Sequence, residues 1–136
     1  MPTQVSILIA DDNSYMREGL SILINPFEDL QLVGEARNGE EAITLAAELR
    51  PDIILMDINM SPVNGFEATR KILKQFPAIK IIGLSLHTEA SYCKNLMRLG
   101  AKGYMSKSSP YAEIITAIRE VAAGRKYIDK KIADSL

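Results

Sequence analysis

Short apolar segments alternate with segments of helical periodicity along most of the chain. The segments 5–10 and 53–56 are rich in β-branched residues and show no polar alternation. This pattern is typical of strands that are buried on both faces of a parallel sheet. Five strands are predicted in this way, at residues 5–10, 30–36, 53–57, 79–84 and 102–106.

In the segments between these strands, apolar residues recur every three or four positions, as expected for helices that pack on a sheet. Five helices are predicted, at residues 13–25, 40–49, 65–76, 88–99 and 110–124. Polar residues at their starts suggest N-caps. We expect Asp12 or Asn13 to cap the first helix, Thr88 the fourth and Ser109 the fifth.

The alternation of five strands with five helices predicts one α/β domain with a doubly wound, flavodoxin-like fold. A chain of 136 residues is long enough for one such domain. The strand order 2-1-3-4-5 is one common solution for this fold, and it sets the first strand beside the third. Composition and periodicity do not fix the strand order, and we take 2-1-3-4-5 as the order of the expected five-stranded parallel sheet, flanked by five helices.

The composition narrows the classes of function. A formal net charge of −1 gives no basic surface for tight nucleic-acid binding by this segment alone. The single cysteine, Cys93, excludes an intramolecular disulfide, and no apolar leader opens the chain, so a cytoplasmic location is expected. The apolar segments are shorter than the ~18–20 residues of a membrane span, so no membrane association is expected.

Three aspartates stand at the ends of predicted strands. Asp11 and Asp12 follow the first strand, and Asp57 ends the third. In the order 2-1-3-4-5 they converge at the carboxyl edge of the sheet, where carboxylates ~4 Å apart repel by ~4 kcal/mol at an effective dielectric near 20. A hard cation such as Mg²⁺ offsets that repulsion. Zinc is disfavoured because His87 and Cys93 are the only histidine and cysteine.

Two further polar residues end strands at the same edge. Ser85 closes the fourth strand and Lys107 follows the fifth. An acid cluster with a metal, a hydroxyl and an ammonium can bind a phosphoryl group, and a carboxylate can itself accept that group as an aspartyl phosphate. Each residue alone is more often a helix cap or a solvated side chain. Their combination favours phosphoryl chemistry.

The chain resembles the receiver domains of bacterial response regulators along essentially its whole length. The matching segments are residues 7–13, residues 55–60 with Gly65, residues 83–85 and residues 101–107. The resemblance implies a receiver domain at residues 1–126 and a C-terminal tail at residues 127–136. It also implies a signalling protein that catalyses its own phosphorylation and dephosphorylation, rather than an enzyme with a separate substrate.

The resemblance assigns the acids individually. Asp57 is the expected phosphoacceptor, with a sensor histidine kinase as its partner. Asp12 and Asp57 are expected to ligate Mg²⁺ together with the main-chain carbonyl of Asn59, and Asp11 to act on the ion through water.

The resemblance also assigns residues around the acids. Ser85 and Lys107 are expected to bind the phosphoryl group. Tyr104 matches the switch aromatic of receivers, whose rotamer accompanies the movement of Ser85. Asn59 and His87 lie two positions beyond the acceptor and the serine, where receivers adjust dephosphorylation.

Two positions depart from the usual receiver pattern. Ser61 separates Met60 from Pro62, and Ser108 follows Lys107 where many receivers have a cis proline. The missing proline, together with the segments 103–107 and 123–128, makes the chain similar to the receivers that precede a LuxR-type helix-turn-helix domain. The chain is therefore expected to regulate transcription, and to contact DNA only through a domain that it lacks, with the tail as the start of a linker.

Several alternatives stay open at this point. A standalone receiver would act by phosphotransfer or by protein binding, and a homodimer on phosphorylation is possible for either kind of receiver. An aspartyl-phosphate phosphatase would place its nucleophile on the first strand in an Asp-x-Asp arrangement, whereas Asp11 and Asp12 are adjacent. A nucleotide- or flavin-binding module would need a glycine-rich loop, which does not follow the first strand.

Overall fold

The computed structural model describes residues 4–87 and 89–136, which form a parallel sheet with helices on both faces. The strands are β1 (Val5–Ala10), β2 (Leu30–Ala36), β3 (Ile53–Asp57), β4 (Lys80–Ser85), β5 (Gly103–Ser106) and β6 (Tyr127–Ile128). The helices are α1 (Ser14–Ile24), α2 (Gly39–Leu49), α3 (Gly65–Gln75), α4 (Ala90–Arg98), α5 (Tyr111–Ala122) and α6 (Lys130–Ala133).

The sheet has the order β2-β1-β3-β4-β5-β6. The doubly wound fold and the order of the first five strands are confirmed, but the predicted count of five strands and five helices is wrong. The sixth strand has two residues, too few for any hydrophobic period to appear in the sequence. It pairs in parallel with β5, Gly103 opposite Tyr127 and Tyr104 opposite Ile128. The following helix, α6, buries Ile132 completely.

Strand side chains alternate between two cores. Leu8 and Ile54 belong to the core under α2, α3, α4 and α6, whereas Ile7 and Ile53 belong to the core under α1 and α5. Both faces of the central strands are therefore covered, and this explains why the strands show continuous apolar runs without polar alternation. Cys93 lies buried in the first of these cores.

The helix starts agree only in part with the predicted caps. The Asn13 side chain caps α1 by accepting hydrogen bonds from the amides of Tyr15 and Met16. Ser109 is not a cap: α5 begins at Tyr111 without a side-chain cap, and the Ser109 hydroxyl donates to the Asp129 carboxylate. The predicted cap of the fourth helix, Thr88, lies outside the described residues.

Two backbone features bear on the departures from the receiver pattern. The Ser61–Pro62 peptide is cis, and the Lys107–Ser108 peptide is trans.

Within the ranges 4–87 and 89–136, no helix has both the length and the apolar character that crossing a membrane requires.

Candidate functional site

The adjacent strands β1 and β3 bring the three aspartates together. Ala10 is paired with Met56, so Asp11 and Asp57 leave the sheet side by side. One carboxylate oxygen from each of Asp11, Asp12 and Asp57 lies within 4.8 Å of the other two. Asp11 and Asp57 are each only 1% exposed, whereas Asp12 is exposed. The result is an acidic pair in the protein interior with one further acid on its solvent side.

Lys107 provides the positive charge of this cluster. Its Nζ lies 2.9 Å from Asp11 Oδ2 and 3.2 Å from Asp57 Oδ1. Burial alone would lower the pKa of Lys107, but the hydrogen bond to Asp11 and the charges of both aspartates raise it above its ordinary value. The ammonium therefore stays charged at neutral pH and partly offsets the repulsion between the two carboxylates.

The pKa of the Asp57 carboxyl group is strongly shifted. Burial, followed by the charge of Asp11, raises its pKa from 3.8 to about 6, against the opposing effects of Lys107 and the Asn59 amide. No hydrogen-bond partner among the described residues reaches Asp57 Oδ2. A buried carboxylate with an unpaired oxygen costs free energy, which is characteristic of functional sites.

The donor set fits a hard divalent cation. Three carboxylate oxygens, one from each aspartate, lie close enough together to share an ion. Mg²⁺ prefers oxygen ligands and commonly keeps several waters, for which the exposed Asp12 leaves room. The acidic cluster can therefore hold a metal ion. Lys107 already compensates part of the negative charge of the aspartates.

The loops after β1, β3, β4 and β5 are held by the same kind of local turn. In each one, the side chain of a strand-end residue accepts a hydrogen bond from the amide two residues later, as in Asx and ST turns. The pairs are Asp11 with Asn13 (2.9 Å), Asp57 with Asn59 (3.1 Å), Ser85 with His87 (2.9 Å) and Ser106 with Ser108 (3.1 Å). Four polar side chains are thus fixed by their own loops at the carboxyl edge of the sheet.

Gly65 allows α3 to begin close to the acceptor strand. A Cβ atom at this position would collide with the main-chain carbonyl oxygen of Asp57. The Gly65 amide donates instead to the Ile58 carbonyl at 2.9 Å. The glycine eight residues after Asp57 therefore has a steric role, which is to let α3 pack against the backbone at the end of β3.

Ser85 and Tyr104 lie on the strands next to the acids. Ser85 is fully buried at the end of β4, and its carbonyl accepts a hydrogen bond of 2.8 Å from the Lys107 amide. Tyr104 is also fully buried, and its hydroxyl donates to the His87 carbonyl at 2.9 Å. Burial raises the pKa of Tyr104, so its hydroxyl stays protonated. The predicted switch aromatic thus points inward in this structure.

The two predicted tuning residues lie at the rim of the site. Asn59 is exposed, and its amide is held by Asp57. The His87 ring stacks on Tyr92 at a centroid distance of 4.5 Å, and its Nδ1 lies 3.5 Å from Glu89 Oε2. The structure connects His87 to Tyr104 through the His87 main chain.

Arg17 also contacts the site, and the sequence pattern did not predict this. From the first turns of α1, its Nη1 donates to the main-chain carbonyl of Asp11 at 2.6 Å, and its Nε lies 3.6 Å from Glu35 Oε1 on β2. Arg17 therefore links the loop after β1 to β2. Its position one turn into a helix that follows two aspartates was the only signal in the sequence, and such spacing is common on helix surfaces.

Comparisons with known proteins agree with this geometry. The family model "Response regulator receiver domain" matches residues 7–119. Response regulator GacA of Pseudomonas aeruginosa is 41% identical over 132 residues, which are 97% of this chain and 62% of that protein. Transcriptional regulatory protein DegU of Brevibacillus brevis is 37% identical over 133 residues, 98% of this chain and 56% of that protein. The chain therefore spans about three fifths of the length of these relatives.

A solved structure gives the same result. The crystal structure of a two-component response regulator of the LuxR family from Aurantimonas sp. SI85-9A1 superposes with a TM-score of 0.94. It is 34% identical, and the match covers 98% of this chain and 95% of that one. Since the matched segment 7–119 contains every residue of the acidic cluster, this chain belongs to the response-regulator receiver family of two-component systems.

Proposed function

We propose that Asp57 accepts a phosphoryl group in a Mg²⁺-dependent reaction, with the phosphohistidine of a sensor histidine kinase as donor. The state of the Asp57 carboxylate supports this most directly. Its Oδ1 is held by Lys107 and by the Asn59 amide, and its Oδ2 has no hydrogen-bond partner in the described part of the chain. A carboxylate that is fixed through one oxygen and unengaged at the other is oriented for nucleophilic attack.

In the proposed transfer, Asp57 Oδ2 forms a P–O bond in line with the breaking P–N bond of the donor. The imidazole nitrogen leaves with the electron pair of that bond. Lys107 exchanges its contact with Asp57 for a phosphoryl oxygen, and Ser85 donates its hydroxyl hydrogen to another. The Ser85 oxygen accepts from the His87 amide, so its hydrogen is available for this bond.

We assign Mg²⁺ to the acidic cluster. Asp12 and Asp57 would be its direct ligands, with the main-chain carbonyl of Asn59, and Asp11 would act on it through water. The proximity of the three carboxylates supports this assignment. When bound, the ion supplies positive charge for the phosphoryl oxygens, as divalent cations do in phosphoryl transfer.

Phosphorylation shifts a conformational equilibrium in this proposal. The acceptor gains roughly one unit of negative charge, and the conformation in which Ser85 and Lys107 contact it is favoured. Tyr104 takes the inward rotamer in that conformation, and α4, β5 and α5 form the output surface. Asn59 and His87 border the approach of the hydrolytic water and make only small adjustments to the lifetime of the phosphoryl group.

We further propose that the protein controls transcription from the cytoplasm, as part of a longer regulator that contacts DNA through another domain. The similarity to DegU, a transcriptional regulatory protein, supports this, as does the similarity to the LuxR-family structure. Homodimer formation on phosphorylation belongs to the proposal. A standalone receiver that acts by phosphotransfer or protein binding is the alternative.

The test of phosphorylation uses acetyl phosphate with Mg²⁺, followed by intact mass. The parent chain is expected to gain a single phosphoryl adduct that disappears with a chelator, and Asp57→Asn to gain none. Asp52→Asn is the matched control, because Asp52 is an exposed aspartate just before the same strand. An adduct on Asp57→Asn would overturn the assignment, as would no adduct on the parent together with no binding of beryllofluoride.

A further inference from the structure

The C-terminal tail contains a buried carboxylate that the family motifs do not include. Asp129, between β6 and α6, is 6% exposed. Its Oδ1 accepts from the Lys131 amide at 2.9 Å, as expected for a cap of α6. Its Oδ2 accepts from the Ser106 amide at 3.3 Å and from the Ser109 hydroxyl. One oxygen of this carboxylate therefore bonds the tail, and the other bonds the end of β5 and the loop after it.

The residues that Asp129 contacts flank Lys107 in the sequence. Ser106 precedes the lysine by one residue and Ser109 follows it by two, so Asp129 holds the chain on both sides of it. Within this segment, the Ser106 and Ser108 hydroxyl oxygens are 2.6 Å apart. The Asp129 amide donates to the Tyr104 carbonyl at 2.9 Å, which fixes the tail to β5 at the switch residue itself.

Capping α6 does not require this arrangement. A cap residue can satisfy a short helix from an exposed position, whereas taking a carboxylate out of water is costly unless hydrogen bonds compensate. Asp129 has that compensation, and two of its three donors belong to the end of β5 and the loop after it rather than to α6. The burial of this acid therefore follows from fixing the loop.

We propose that Asp129 is a positioning residue for Lys107, and that through it the tail and the acidic site influence each other. This inference rests on the proposed phosphoryl transfer to Asp57. Lys107 reaches Asp11 and Asp57 only if the loop after β5 directs its side chain toward the ends of β1 and β3. Asp129 fixes the conformation of that loop. By linkage, a ligand that draws Lys107 to a new position also changes the stability of the tail contacts.

The test compares Asp129→Asn and Ser109→Ala with the control Asp134→Asn, which changes an exposed acid on the same tail. Two quantities are measured for each: the initial rate of phosphorylation by acetyl phosphate, and the dissociation constant for Mg²⁺ without phosphodonor. We expect Asp129→Asn to lower the rate about 10-fold, below the ~10²-fold loss that a 1 Å misplacement can cause. Ser109→Ala should lower it less, and the control should match the parent.

The Mg²⁺ measurement distinguishes positioning from general damage. Asp11, Asp12 and Asp57 follow β1 or end β3, away from the tail, so Mg²⁺ affinity should be unchanged or tighter when Lys107 no longer competes for the acids. Equal losses of rate and Mg²⁺ affinity would assign Asp129 a merely structural role and overturn the proposal. So would parental rates in both variants.

Hydrogen exchange separates this inference from the proposed function. The Lys107 amide, which is bonded to the Ser85 carbonyl, should exchange faster in Asp129→Asn and in Ser109→Ala than in Asp134→Asn. If the parent is not phosphorylated but this exchange still rises in both variants, the positioning role holds and the phosphoryl proposal fails. If the parent is phosphorylated and the exchange is unchanged, the positioning role fails alone.

Discussion

The two ends of β3 each have an aspartate, and the two carboxylates lie in opposite environments. Asp52, just before the strand, is exposed and accepts hydrogen bonds from the Ser6 amide at 2.9 Å and from the Ser6 hydroxyl at 3.0 Å. Its own amide donates to the Ser6 hydroxyl oxygen at 2.8 Å. Asp57, at the other end, is buried beside another acid, and none of the residues in the ranges 4–87 and 89–136 offers its Oδ2 a hydrogen bond.

This difference separates two uses of the same side chain. Asp52 joins the start of β3 to β1 and is satisfied within the protein, so it contributes to stability. Asp57 loses hydration and faces the charge of Asp11, so it reduces stability in the absence of a bound cation. An unfavourable buried charge that nothing in the local packing requires indicates a functional residue.

The largest expected effect tests whether charge at the carboxyl edge serves chemistry. Lys107→Ala should lower the initial rate of phosphorylation by acetyl phosphate about 10²-fold or more, the usual effect of removing a preorganised charge-stabilising donor. Lys80→Ala is the control at the other edge, where Lys80 Nζ lies 3.4 Å from the Ala122 carbonyl oxygen. Equal rates for the two variants would contradict the functional difference between the edges.

The next prediction concerns the cost of the Asp57 charge. The native pKa of about 6 is above the ordinary value of 3.8, so between roughly pH 4 and 6 the folded state binds more protons than the unfolded state. The stability of the parent should therefore fall as pH rises through this window. The total loss is about 2–3 kcal/mol, at 1.36 kcal/mol per unit of pKa shift.

Urea unfolding with a chelator, from pH 4 to pH 7, measures this effect. Asp57→Asn should equal the parent near pH 4 and exceed it in stability above pH 6, because the amide carries no charge to bury. Asp52→Asn should show no such gain at high pH. A difference between parent and Asp57→Asn that does not vary with pH would exclude burial of the Asp57 charge as its cause.

How well the sequence predicts the structure also differs between regions. The strands β1 and β3 were predictable because they are buried on both faces and leave continuous apolar runs. Their terminal acids were predictable as a cluster because parallel strands end at one edge. Asn13 could be proposed as a cap because its partners are its own neighbours in the chain.

The features that were missed depend on contacts between distant segments. The β6 strand is two residues long and exists through pairing with β5. The Ser-Pro pair at 109–110 predicted a cap, but Asp129, twenty residues later, offers the Ser109 hydroxyl a buried acceptor. Arg17 contacts Asp11 because α1 turns this side chain toward the loop after β1, where Glu35 of β2 also lies within reach. Local patterns contain no information about such meetings.

A smaller effect is expected at the amino edge. Ser6→Ala removes the hydroxyl that joins Ser6 to Asp52, and it should lower the free energy of unfolding by about 1 kcal/mol, the typical net value of such hydrogen bonds. The phosphorylation rate should not change. Urea unfolding and the acetyl phosphate assay on the same preparation measure both, and a slower rate at unchanged stability would contradict a purely structural role for this edge.

The smallest effect tests whether location at the carboxyl edge is enough to make a residue functional. His87→Ala should change the phosphoryl lifetime by less than about 3-fold, equivalent to under ~0.7 kcal/mol in the barrier. The His87 ring stacks on Tyr92 and lies near Glu89, while its link to the switch is a main-chain carbonyl that alanine retains. Decay of the adduct after removal of acetyl phosphate gives the lifetime. A change above about tenfold would mean that the ring itself controls the hydrolytic water, and that side chains beyond the buried acids and Lys107 share the chemistry of this edge.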